Sequence, residues 1–68
     1  MSKVETLKAE VRRLNAQAIQ AKLDLHDLSE DLPTNWPRIL DVAQRAYESH
    51  AALSAARETL KSMKGEQG

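Results

Sequence analysis

The 68-residue chain has no cysteine and no phenylalanine, and only two prolines, two glycines, one tryptophan and one tyrosine. Without cysteine, disulfides and thiolate metal sites are excluded. Ten basic and ten acidic residues leave no net charge, so broad attraction to nucleic acid or anionic lipid is not expected. No apolar run approaches the roughly 20 residues of a membrane span, and the charged start lacks a secretory signal. We expect a cytoplasmic protein without a cofactor.

So short a chain has limited means of stabilising itself. Below about 70–80 residues a single core rarely supplies more than roughly 3–5 kcal/mol, and small proteins usually add disulfides, a metal or a partner subunit. Because disulfides are excluded, a second subunit is the leading source of further stability.

The helix-breaking residues are confined to two places. Both prolines lie within 32–37, which indicates one central turn, and both glycines lie in the last four residues. Ser2 and Glu5 fit a capping box at a helix start, while Pro33 disfavours helix at Leu32. The sequence predicts a single domain over 1–64, with helix 1 at about 3–31, a turn at about 32–36, helix 2 at about 37–64, and a disordered tail at 65–68.

Apolar residues recur at alternating steps of three and four along both helices, which is the pattern of a coiled-coil seam. In an antiparallel hairpin, the residue numbers of two facing positions always add up to the same value. Facing residues of the two seams have numbers that add up to 67, as for Leu14 and Leu53. The sequence therefore predicts an all-α, antiparallel two-helix hairpin. The seam is Val4, Leu7, Val11, Leu14, Ala18, Ala21, Leu25, Leu28 and Leu32 in helix 1, and Ile39, Val42, Ala46, Ser49, Leu53, Ala56, Leu60 and Met63 in helix 2.

A second set of apolar residues lies away from the seam, in the half of each helix nearest the turn. A helix that is apolar on two sides needs two sets of neighbours. One interpretation is that these side chains overhang a wide hairpin groove. We favour a homodimer, in which a second copy packs by two-fold symmetry into a four-helix bundle, with Trp36 and Tyr47 as anchors of the turn and the dimer. The predicted interface is Ala16, Ile19, Leu23, Leu40, Ala43 and Tyr47.

Charge is divided unevenly along the hairpin. Residues 23–44 hold five acids and one base, a net of −4, and the remainder carries +4. Acids near the C-terminus of helix 1 oppose the dipole of that helix, so folding does not account for them. One interpretation is an ordinary solvated surface. The functional interpretation is a docking site for a basic partner, formed by Asp24, Asp27, Glu30 and Asp31.

The chain lacks the residues of a catalytic centre. It has no glycine-rich phosphate loop and no Gly-x-Ser-x-Gly motif, and two bare helices form no cleft to desolvate carboxylates such as Asp27 and Asp31. We expect no enzymatic activity. His26 and Glu30, one helical turn apart, are a weak metal candidate because a protein site usually takes three or four ligands. A metal-carrying protein is therefore kept as an alternative.

Three segments, 7–18, 22–36 and 39–53, resemble the small Rop-like proteins of nitrogen-fixing bacteria. The most specific part is Asp24-Leu-His-Asp-Leu followed by the turn Leu-Pro-Thr-Asn-Trp. Such proteins are typically encoded among nitrogen-fixation genes, and their biochemical role is undefined. The resemblance implies a cellular process, nitrogen fixation, and not a mechanism. Our interpretation is an accessory interaction protein that assists nitrogenase assembly or protection through a nitrogenase-related partner. The resemblance carries over no catalytic or binding residue.

The chain is also similar in plan to the RNA-binding Rop bundle, an antiparallel dimer of hairpins. Fold alone does not transfer function. This chain has no phenylalanine, and the basic residues of helix 1 lie mainly in the half nearest the termini. An RNA-binding regulator is an alternative function, but we do not expect nucleic-acid binding.

Overall fold

The computed structural model describes residues 2–67, with side chains over 2–63. Helix α1 spans Lys3–Asp31, a short 3-10 helix spans Trp36–Arg38, and helix α2 spans Ile39–Gln67. The two long helices pack side by side into a rod with extents of 50 × 16 × 14 Å. The predicted all-α hairpin is confirmed, and α1 has the predicted bounds.

The start of α1 is fixed by Ser2. Its backbone is extended, with φ −77° and ψ 160°, and its hydroxyl oxygen accepts a hydrogen bond from the Glu5 amide at 3.2 Å. The Thr6 amide donates to the Ser2 carbonyl at 3.1 Å. The Glu5 amide, one of those that a helix start leaves without partners, is thus satisfied by a side chain, and the Thr6 amide makes the first backbone bond of the helix.

The turn is built from backbone hydrogen bonds. The Thr34 amide donates to the Asp31 carbonyl at 2.9 Å, and the Arg38 amide donates to the Asn35 carbonyl at 2.9 Å. The sequence favours a side-chain cap from Thr34 or Asn35. Asn35 does precede the 3-10 helix, but its side chain makes no capping bond. Because Pro37 lies inside this 3-10 turn, α2 begins at Ile39 rather than at 37.

Asn35 adopts a left-handed backbone, with φ 61° and ψ 23°. Only glycine and, to a lesser extent, asparagine and aspartate visit this region readily, and other residues lose roughly 1–2 kcal/mol there. Asn35→Val should therefore lower the free energy of unfolding by about 1–2 kcal/mol, while Asn35→Gly should leave it nearly unchanged. Urea unfolding followed by circular dichroism measures both, and an equal loss in the two variants would contradict this turn geometry.

The C-terminal end differs from the prediction. Helix α2 continues to Gln67, three residues beyond the expected end at 64. A glycine such as Gly65 costs only about 1 kcal/mol in a helix interior, so it does not by itself end the helix. The tail predicted at 65–68 is thus helical in its backbone over 65–67, and Gly68 lies outside the described residues.

The core follows the predicted seam. Over residues 2–63, the buried apolar residues all belong to it, namely Ala18, Ala21, Leu28, Val42, Ala46 and Leu53. The other seam residues from Val4 to Met63 are half-buried, with one exception. Leu32 is 40% exposed, because it follows the last residue of α1 and belongs to the turn. The single hairpin therefore has a narrow core, one layer of side chains deep.

Candidate partner-binding surfaces

Acidic side chains from the last turns of α1 line a groove of about 580 Å³ along one face of the hairpin. Asp24, Asp27 and Asp31 recur at spacings of three and four, which places them on one side of the helix. The floor is formed by seam residues, and polar side chains of the turn and α2 complete the wall. We call this site the carboxylate groove; it is lined by Gln17, Gln20, Ala21, Asp24, Asp27, Leu28, Asp31, Asn35, Arg38, Val42, Arg45, Glu48 and Ser49.

The contribution of α2 to this groove was not predicted. Arg38 and Arg45 stand across it from the aspartates, one heptad apart, as are Asp24 and Asp31. The antiparallel register could have predicted these arginines. Residues that flank the seam on one helix lie beside those that flank it on the other helix. Over the side chains of residues 2–63, the ion pairs all join residues of the same helix. No pair therefore closes the groove within that range.

The polar contacts inside the carboxylate groove are local. Gln20 Nε2 donates to Asp24 Oδ1 at 2.9 Å, and Arg45 Nη2 lies 3.7 Å from Asp41 Oδ2 on its own helix. Exposed pairs of this type contribute little, about 0–1 kcal/mol. The aspartates consequently remain available to a partner at low energetic cost.

The structure divides the four acids of the predicted docking site. Asp24, Asp27 and Asp31 line the carboxylate groove, but Glu30 is absent from its lining. Its Oε1 lies 3.0 Å from His26 Nε2, one turn back on α1, and both side chains are more than 60% exposed. Glu30 therefore lies outside the carboxylate groove, because its helix position turns it away from the groove.

His26 and Glu30 are close enough to share a metal ion. Two ligands leave a protein metal site incomplete. Among the side chains of residues 2–63, no group of three His, Cys, Asp or Glu is arranged to hold a metal ion. The pair is explained as an exposed polar contact between neighbouring turns of α1.

The six residues predicted as a dimer interface form an apolar area that the hairpin leaves largely uncovered. Ile19 is 50% exposed, Leu23 47%, Leu40 83% and Tyr47 74%. Leu40 and Tyr47 are thus mostly uncovered, and Ile19 and Leu23 are about half covered by the hairpin. We call Ala16, Ile19, Leu23, Leu40, Ala43 and Tyr47 the apolar face.

The apolar face and the carboxylate groove lie on different sides of the hairpin. A second, shallow groove of about 560 Å³ runs beside Tyr47 and shares no lining residue with the first. The polar groups in this second groove are the side chains of Lys22 and His50 and the hydroxyl of Tyr47. It is lined by Lys22, Leu25, Ala43, Ala46, Tyr47, His50 and Ala51.

Trp36 does not anchor the turn as predicted. Its side chain is 63% exposed, because the 3-10 turn carries it at the end of the rod, beyond the last core pair. The expectation that Trp36 packs in the dimer is a separate prediction, and the single hairpin does not test it.

Glu10 and Arg13 form an ion pair on α1, far from the turn. The pKa of Glu10 is lowered because Arg13 donates a hydrogen bond to its carboxylate, with Arg13 Nε 3.2 Å from Glu10 Oε2. A depressed folded-state pKa stabilises the fold above the unfolded value, and this contribution is lost as the pH falls. Since both groups are exposed, the effect is small.

In the part of the chain that the structure describes, neither helix combines the length and apolar character that crossing a bilayer requires.

The chain is similar to several small proteins over nearly its whole length. It is 56% identical to a UPF0437 protein of Azorhizobium caulinodans, covering 93% of this chain and 91% of the relative. A UPF0437 protein described as lying in the nifX-nifW intergenic region of Frankia alni is 50% identical, over 65% of this chain and 54% of its own length. A Northeast Structural Genomics Consortium target solved by NMR has a TM-score of 0.87 at 47% identity, covering 94% of this chain and 90% of that one.

The Rop-like family model matches residues 2–65, which include both helices and the turn between them. Its match, the relatives above and the hairpin geometry agree with one another. The chain belongs to the Rop-like family.

Proposed function

We propose that this protein is a cytoplasmic, non-enzymatic accessory protein of nitrogen fixation, which assists nitrogenase assembly or protection by binding a partner protein. It works as a homodimer through the apolar face and docks a basic surface through the carboxylate groove. The observation that carries the docking proposal is the groove itself, where Asp24, Asp27 and Asp31 lie together over an apolar floor.

The association with nitrogen fixation is supported by gene context in the family. A relative from Frankia alni is described by its position between nifX and nifW. A basic partner is supported by the excess of acid at the turn end, where residues 23–44 carry a net charge of −4. A phosphate backbone would be repelled there, so this end does not favour the RNA-binding alternative.

The homodimer is supported by the uncovered apolar face. Leu40 and Tyr47 are each at least 74% exposed, and large contiguous apolar areas on a soluble protein mark interaction sites. A second copy buries both sides of the interface with one set of residues, which is the commonest arrangement among oligomers.

Neutralising the carboxylate groove should weaken partner capture and leave the hairpin folded. The variant combines Asp24→Asn, Asp27→Asn and Asp31→Asn, all at exposed positions of α1. Affinity capture from nitrogen-fixing cells, washed at increasing salt and read by mass spectrometry, should recover a nitrogenase component or maturation factor with wild type. With the variant, the same partner should elute at lower salt, since contacts between exposed charges are screened beyond about 8 Å at physiological ionic strength.

A matched control combines Glu5→Gln, Glu30→Gln and Glu58→Gln. It removes the same charge from exposed positions outside the carboxylate groove, so it should retain the partner at the wild-type salt concentration. Equal salt tolerance in the aspartate variant and wild type would reject the groove as the docking site. Equal losses in both triple variants would show that net charge, and not the groove, determines capture.

A further inference from the structure

The single hairpin exposes more solvent-accessible area than is expected for a monomeric protein of the same mass. Its accessible area is 5273 Å², whereas a monomeric protein of this mass is expected to expose about 4,300 Å². The excess, about 1,000 Å², is comparable to the roughly 800 Å² that each partner buries in a standard protein interface. The excess accessible area is therefore about the area that one hairpin would bury by packing against a second copy.

The position of the apolar face along the rod restricts how two copies can overlap. With a rise of 1.5 Å per residue, Leu40 and Tyr47 lie about 6 and about 16 Å from the turn, and Leu23 and Ile19 about 12 and about 18 Å. The apolar face is thus centred about 13 Å from the turn on a rod 50 Å long. It is well off-centre.

The same side of the rod becomes basic toward the termini. Residues seven apart share a side of a heptad helix, so Lys8 follows from Lys22, and Lys61 from Tyr47, each two heptads away. Arg57 is one heptad beyond His50, and its Nη2 donates to Asn15 Oδ1 across the hairpin at 3.2 Å. These bases, with Arg12, lie about 28–38 Å from the turn at 1.5 Å per residue.

Two simple arrangements conflict with this distribution. An antiparallel pair overlapping over its full length places each apolar face against the basic part of the other copy. A pair with both turns at the same end brings the apolar faces into register, but sets the two basic parts against each other. Like charges held together in an interface are unfavourable.

We propose that two copies pack antiparallel and staggered, about a two-fold axis that crosses the rod near the centre of the apolar face, about 13 Å from the turn by the helical rise. This inference rests on the proposed homodimer and specifies its geometry. The apolar faces then cover each other. Each basic part, about 28–38 Å from its own turn, lies just past the turn of the other copy, about 26 Å along the rod, so it faces neither the apolar face nor the basic part of that copy. Both carboxylate grooves remain open, so one dimer presents two docking sites at separate places along its length.

Spin labels test this arrangement cleanly, because the chain has no cysteine of its own. Thr34→Cys labels the turn and Glu5→Cys labels the other end of α1, both at exposed positions. In the staggered dimer, pulsed electron paramagnetic resonance should give a turn-to-turn distance of about 26 Å and a Glu5-position distance of about 52 Å, from twice the axial distance to the symmetry axis.

The other arrangements give different pairs of distances. Full antiparallel overlap reverses the order, with about 50 Å between turns and about 28 Å at position 5. A pair with its turns together gives two short distances, since helix axes in a bundle lie about 8–10 Å apart. Either result overturns the stagger while leaving the homodimer intact. A monomeric mass by sedimentation, with no intermolecular distance, overturns the proposed homodimer itself.

Discussion

Leu53→Asp is expected to abolish the folded hairpin. Leu53 is 5% exposed and faces Leu14 in the middle of the seam. An ionised carboxylate placed there has no partner, and burying an unpaired charge costs several kcal/mol. Since a core of this size supplies roughly 3–5 kcal/mol in total, the variant should lose most of its helical circular dichroism at 25 °C.

Ala55→Asp is the matched control for this experiment. It introduces the same side chain two residues further along α2, at an exposed position outside both the apolar face and the carboxylate groove. Surface substitutions usually change stability by no more than about 0.5 kcal/mol, so this variant should keep wild-type helicity. A Leu53→Asp variant as helical as the control would place Leu53 outside the core and contradict the register.

The second large effect concerns assembly. Leu23→Glu combined with Leu40→Glu should convert the dimer into a monomer with reduced helicity. Leu23 is 47% and Leu40 83% exposed in the single hairpin, so the isolated fold barely depends on them. In the dimer each glutamate would be buried against an apolar face without a partner charge, which penalises association strongly. Sedimentation equilibrium and circular dichroism measure the two consequences.

The control for assembly adds two glutamates elsewhere. Gln17→Glu combined with Ala55→Glu makes the same change in net charge at exposed positions outside the apolar face. It should remain dimeric and fully helical. If the Leu23/Leu40 variant also stays dimeric, the copies associate through another surface, and the geometry proposed for the apolar face is wrong.

Much of the fold was predictable because the spacing of the apolar residues indicates both the two helices and the way in which they pair. The apolar spacing predicts both helices, and the constant sum of facing residue numbers predicts their pairing. The seam therefore includes every residue that is buried within 2–63. The stop after Asp31 followed from Pro33, which disfavours helix in the residue before it. These are local rules with strong steric causes, and tertiary packing has little power to override them.

The candidate site was less predictable, because it depends on which side of a helix each polar residue takes. Counting acids grouped Glu30 with the aspartates, whereas the structure separates it and adds Arg38 and Arg45 from the facing helix. The position of Trp36 was missed for another reason. Hydrophobicity alone indicates burial, but a turn at the end of a narrow rod has no neighbours to bury it.

The isolated hairpin has two energetically unfavourable features, the exposed apolar face and the acids at the C-terminal end of α1. In the proposed assembly a second copy covers the apolar face, and a basic partner neutralises the acids at the end of α1, which oppose the helix dipole. Each feature that is unfavourable in the isolated hairpin is thus favourable in an assembly, as expected of a protein that works by binding.

Sedimentation equilibrium of the wild-type protein at micromolar concentration tests the central claim most directly. The account predicts a single species with twice the chain mass of 7.6 kDa, because the apolar face of one copy covers that of the other. A stable, fully helical species of 7.6 kDa would contradict it, since the hairpin would then be sufficient alone and its exposed leucines would need another explanation.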